Sequence, residues 1–171
     1  MNRQSPSITG NLVRVCLALM IASVGFAGSL KAEPLAGSNR DKEIMGVLDR
    51  FMDGLNELDL EKHFSTYHFP HFRYASGTIN VSENVQAFMP FHKASKEDRR
   101  RNLLKFLGPD WDHSAWTRRD IVQGDTTKVH VATTFVRYRK DGSKIADFES
   151  LYVLTFEDGR WGIKGRSSFA P

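Results

Sequence analysis

The sequence predicts an α+β domain in which an opening amphipathic helix packs on a curved antiparallel sheet. Three observations carry this expectation. Apolar residues recur at helical spacing between Ile44 and Leu55. The segment HFRYASGTINVS divides at Ser76-Gly77 into two short runs rich in aromatic and β-branched residues. From Ala115 onward the apolar period becomes two, in four runs separated by turn signals. A chain of 171 residues, 40% apolar and 26% charged, has enough material for one ordinary domain with its own core. That composition excludes disordered, collagen-like and disulfide-scaffold classes.

The elements follow in order. Ile44, Val47, Leu48, Phe51, Met52 and Leu55 stand at i, i+3, i+4, i+7, i+8 and i+11, one apolar face three turns long. Ser38 and Asp41 have capping-box spacing, and the helix is expected over residues 41–56. Asp59 caps a short second helix carrying Leu60 and Phe64, which ends before Pro70 because proline cannot continue it. After the hairpin, Ser82 opens a helical piece with Val85, Phe88 and Met89 on one side. Ser95 then starts a charged helix that stops at Gly108-Pro109. WTRRDIVQ, KVHVATTFVRYR, IADFESLYVLTF and RWGIKGRSSF are the four strands, turned at Gly124-Asp125, Asp141-Gly142 and Asp158-Gly159. Short turns make such strands antiparallel.

Residues 1–32 read as a signal peptide. Arg3 and Arg14 precede the uncharged run Val15 to Ala27, and small-residue cleavage patterns end at Ala27 and Ala32. The run is shorter than the roughly 20 residues of a spanning helix, so a secreted or periplasmic protein without a stable membrane anchor is expected. Residues 33–39 then form a linker and 40–171 the domain. The leader contains Arg3, Arg14 and Lys31 and no acid, which leaves 21 basic against 20 acidic side chains. That balance argues against nucleic acid as a partner, and Arg99, Arg100 and Arg101 point around a helix rather than along a groove. The only cysteine, Cys16, lies in the leader, so neither disulfide nor thiol chemistry is expected after cleavage.

The order of elements, the segment YHFPHFRYASG and the ending DGRWGIKGRSSFA resemble the nuclear-transport-factor-2-like (NTF2-like) superfamily, which includes SnoaL-like cyclases, ketosteroid isomerase and scytalone dehydratase. YHFPH and DGRW are similar in particular to a group of exported bacterial members. The resemblance spans about residues 40–170. It implies a cone: a bent sheet wrapped on the N-terminal helices, a cavity that admits a small apolar molecule, and homodimers through the outer sheet face. The carboxylate set of ketosteroid isomerase has no residue-by-residue match here, so none of its roles is carried over.

Candidate residues follow from chemistry and position. His68 and His71 flank Phe69-Pro70 at the handover from helix to strand. A histidine there can act as general acid or base, or can fix the turn by bonding a carbonyl. His63, His68 and His71 fall short of a metal set because Pro70 breaks any common face, and no cofactor is expected. Trp111 to Trp116 contains Ser, His and Asp side by side, which cannot converge as a triad. The two tryptophans either close one end of the cone or pin a loop to the core. Tyr74, Tyr152, Trp161 and Arg166 are the ligand-contact candidates. Tyr152 can donate to a carbonyl or sit in a dimer interface, Arg166 can meet an anion or pair with Glu149, and Trp161 also suits the core.

Three functional readings follow, in this order of preference. They are a binding module for a small, mainly apolar molecule, a SnoaL-like isomerase, cyclase or dehydratase using His68 or His71, and a cone filled by its own side chains that only dimerises. An enzyme should hold a histidine or acid in the cavity with a displaced pKa and an orienting partner. A binder should show an open apolar cavity with polar groups but no such pair.

Overall fold

The computed structural model describes residues 38–75 and 77–169. The expected signal peptide, most of the linker and Ser76 of the hairpin turn lie outside these residues. Ser38 accepts a hydrogen bond from the Asp41 amide at 3.2 Å and caps helix α1, Asn39–Asn56, which starts two residues before the expected position. Helix α2, Leu60–Phe64, is capped by Asp59 through the Lys62 amide. Gly54 allows the two helices to meet, because a Cβ there would stand 2.5 Å from the backbone nitrogen of His63. Strands β1, Tyr67–Ala75, and β2, Thr78–Ser82, form the hairpin, and helices α3, Val85–Phe88, and α4, Lys96–Leu107, follow.

The four-strand meander is β3, His113–Gly124, β4, Lys128–Tyr138, β5, Lys144–Glu157, and β6, Arg160–Ser168. Between β5 and β6 the turn is the two residues Asp158 and Gly159, with φ of 53° and 75°, the left-handed pair that a tight hairpin requires. One curved, unclosed sheet results, in the order β2-β1-β6-β5-β4-β3. The meander is antiparallel throughout. The first hairpin joins its far edge with β1 parallel to β6, so the sheet is mixed rather than wholly antiparallel. The chain must therefore return from β2 through α3 and α4 to the opposite edge.

Helix α1 lies against β3 and β6. Its Ile44, Val47, Leu48 and Phe51 pack with Val129, Val131, Leu154 and Ile163 of the sheet. In α1 the apolar face and in β4 the alternating Val129, Val131 and Phe135 are therefore buried against each other, as their periods require. Asn56 ties the helix end to the sheet: its amide donates to the Ser114 carbonyl at 2.8 Å and accepts from the Ser114 amide at 2.9 Å. Trp111 and Trp116 pin the start of β3, bonding Ser114 Oγ and the Leu48 carbonyl. Among the described residues no helix is long and apolar enough to cross a membrane.

Candidate functional site

Between α1, the α3–α4 crossover and the concave sheet face lies a cavity of about 550 Å³. Phe51, Met52 and Leu55 of α1, Phe88, Met89 and Phe91 beyond β2, and Phe135 and Ile163 of the sheet supply apolar wall. Val81 and Phe106 also line it and remain 61% and 63% exposed, which places them at its mouth. A larger open groove of about 1140 Å³ runs along α2. There Glu57, Asp59 and Glu61 face Lys93, Lys96 and Arg99, so the groove's charges are of both signs and demand no particular ligand.

The polar wall of the inner cavity is of a single sign. Arg73, Arg137 and Arg166 line it together with His63, His71, Tyr67 and Tyr152, and no Asp or Glu is among its lining residues. Alternation along the strands explains the grouping. Tyr67, His71 and Arg73 lie at even spacing on β1, Phe135 and Arg137 on β4, and side chains two apart share a face. Register completes it, because Arg73, Arg166, Tyr152 and Val131 are consecutive partners across β1, β6, β5 and β4.

Arg166 donates from Nη1 to the Tyr152 hydroxyl at 3.1 Å, and its guanidinium carbon stands 5.6 Å from the centre of that ring. The Tyr152 oxygen thus accepts from Arg166 and keeps its own proton to donate. Arg137 donates from Nη1 to the carbonyls of Phe106 and Leu107 at the end of α4, both at 3.3 Å, and its charge lies 4.4 Å over the Phe148 ring. Its Nε is buried with no hydrogen-bond partner. Burial, and then the charges of Arg166 and Arg73, push the Arg137 pKa down to about 10, which leaves it charged at neutral pH.

Two histidines sit in this wall in the same tautomer. Nδ1 of His63 is 2.7 Å from the Phe51 carbonyl and Nδ1 of His71 is 3.2 Å from the Ile163 carbonyl. A carbonyl only accepts, so Nδ1 carries the proton in both and Nε2 carries the lone pair. The Tyr67 hydroxyl donates to Nε2 of His63 at 3.3 Å. Burial foremost, helped by the charge of Arg166, holds both histidines down to about 4, so they are neutral at physiological pH. Burial also raises the Tyr67 phenol.

The cavity brings together His71, Tyr152 and Arg166 of the sequence candidates. His68, Tyr74 and Trp161 lie outside its lining. His68 is three residues from His71, and because β1 already begins at Tyr67 that odd spacing turns it to the outer sheet face. There its ring covers Gly162 and Nδ1 meets Thr155 Oγ1 at 3.0 Å, while Thr155 donates to Glu157. Tyr74 is 47% exposed on the hairpin, and Trp161 is buried edge-on to Phe156. Arg73, Arg137 and His63 are cavity residues that the sequence argument had not selected for that role. Continuing the alternation Val129, Val131, Thr133, Phe135 by one step would have reached Arg137. His63 lies between Leu60 and Phe64 on the buried side of α2, at helical spacing. Among the described residues no group of three or more His, Cys, Asp or Glu could hold a metal ion.

A bent sheet closed by an opening helix and a crossover around one recess defines a cone-shaped NTF2-like protein. The chain belongs to the family described as NTF2-like protein (DUF6841), whose model matches residues 42–167. Known structures share the fold at low identity. An NTF2-like protein with a cystatin-like fold from Novosphingobium aromaticivorans is 12% identical, with TM-score 0.57, covering 76% of this chain and 80% of that one. A ketosteroid isomerase-like protein from Erwinia carotovora atroseptica is 14% identical, with TM-score 0.52, covering 77% and 96%. The association domain of C. elegans CaMKII is 11% identical, with TM-score 0.55, covering 76% and 95%. No curated protein matches the chain.

Proposed function

We propose that the protein is an exported binding module whose cavity takes up a small, mainly apolar molecule. The single observation that carries this is the cavity of about 550 Å³, in which aromatic and aliphatic walls meet a compact set of polar groups. His71, Tyr152 and Arg166 are the polar contacts. Export rests on the leader-like residues 1–32, and a mature chain beginning at Gly28 or Glu33 is the corresponding expectation. A homodimer through the outer sheet face, where Leu151 is exposed, is the further part of this reading. The association domain of CaMKII, with the same fold, makes such assembly a reasonable use of the scaffold.

One observation favours proton transfer as a second reading: His71 has the oriented ring and free Nε2 that a general base needs. Against it, a pKa near 4 makes that nitrogen a weak base at neutral pH, and no carboxylate lines the cavity to take its place. A native mass spectrum of the protein purified from its own organism separates the two. A small molecule that is retained unchanged and released on unfolding is expected for the binder, whereas a molecule converted during incubation with the protein would favour the enzyme. His71→Gln should leave retention measurable and abolish conversion.

A further inference from the structure

Arg137 and Arg166 lack what buried arginines ordinarily have. An isolated charge is costly to take out of water, and buried guanidiniums are usually met by a carboxylate. Arg137, 7% exposed, and Arg166 form no ion pair among the described residues. Arginine cannot escape by losing its proton at neutral pH. Backbone carbonyls, a phenol and two ring faces ease the cost, but each supplies only a dipole or a quadrupole. The two cavity histidines add no compensating charge. Arg137 and Arg166, in a cavity with aromatic and aliphatic walls, therefore have an unmet preference for a negative charge carried on an apolar body.

Resting on the cavity reading above, we infer that the molecule held is a small organic carboxylate. Its acid group meets the free part of the Arg166 fork and the Tyr152 hydroxyl, within the field of Arg137, and its body lies among Phe51, Phe88 and Phe135. Arg166 spends Nη1 on Tyr152, so the rest of its planar fork remains for two parallel contacts to carboxylate oxygens. Tyr152 contributes a third hydrogen bond from its own O–H. An inorganic anion would satisfy the charge but would leave the aromatic wall facing water, and a neutral apolar molecule would do the reverse.

Matched acid and primary-amide pairs test this: phenylacetate, cinnamate and 1-naphthylacetate against their amides, titrated calorimetrically into the purified protein at pH 7 and low salt. At least one acid is expected to bind at least about tenfold more tightly than its amide, the loss of a charge-assisted contact. In Arg166→Met that preference should fall to within about twofold. Uptake of the neutral fluorophore N-phenyl-1-naphthylamine is measured on the same wild-type samples as the cavity readout, and circular dichroism checks that the variant is folded. If no acid is preferred over its amide while the fluorophore still binds, the carboxylate inference is overturned and the cavity reading stands. If neither acids nor the fluorophore bind, the cavity reading itself fails. Tighter binding of the matched phosphate monoesters than of the carboxylates also overturns the carboxylate class. The wild-type comparison decides the matter even should Arg166→Met not fold.

Discussion

Acidification from pH 6.5 to 4 is expected to remove several kcal/mol of stability. His63 and His71 are neutral in the folded protein, with pKa values about 4 set mainly by burial, whereas in the unfolded chain both return to about 6.5. Between those values the unfolded chain binds more protons than the folded one, so unfolding becomes easier as pH falls. The stability is fully present above pH 6.5 and is lost progressively down to about pH 4. Each histidine contributes up to about 3 kcal/mol over that window, at 1.4 kcal/mol per unit. Burial lowers the outer-face His68 as well, in the same direction. Urea unfolding followed by tryptophan fluorescence at pH 7.5, 6.5, 5.5 and 4.5 measures the slope. His63→Gln and His71→Gln should each flatten it, and a wild-type stability independent of pH across this range would contradict the burial of both rings.

Phe51→Ala is expected to cost about 3–5 kcal/mol, the range for emptying a large aromatic site in a core. Phe51 is the hub of the aromatic cluster: its ring centre lies 4.3 Å from His63, 5.6 Å from Tyr152, 5.9 Å from Tyr67 and 6.1 Å from Trp116. Removing it disconnects α1 from α2 and from the sheet at the same point, and its neighbours belong to separate elements that cannot collapse together into the space. Phe51→Leu keeps most of the volume and should cost less than about 1.5 kcal/mol. Denaturant midpoints for the two variants check the order, and a Phe51→Ala cost below about 1 kcal/mol would show that this cluster does not organise the core.

Period and punctuation made most of the fold legible. The face from Ile44 to Leu55, the hairpin that pairs Ala75 with Thr78 and the Asp158-Gly159 hairpin each rest on short-range chemistry, and each appears where that chemistry puts it. The parallel pairing of β1 with β6 was not legible, because it joins residues some 90 positions apart and no local signal specifies it. The cavity was legible in part. Tyr152 and Arg166 were selected for the hydrogen bonds their side chains can make, with an interface and a pair with Glu149 left open as alternatives, and His71 for its place at the strand start. His68 turned outward because β1 runs through Pro70 instead of starting after it. Arg73 and Arg137 escaped notice for a different reason: composition treats arginine as a solvent-facing residue, while strand parity assigns both to the concave side. Where the two rules conflict, parity wins here, and the conflict marks the site.

The claim on which the rest depends is that the concave side of the sheet holds a real, enterable space. Titration of N-phenyl-1-naphthylamine into wild type and into Ala87→Trp measures this directly, since Ala87 lines the cavity and is exposed at its edge, where an indole would obstruct entry. The account predicts saturable one-to-one uptake by the wild type, with at least about tenfold weaker uptake by an equally folded Ala87→Trp protein. No saturable uptake, or identical uptake by both, would contradict it.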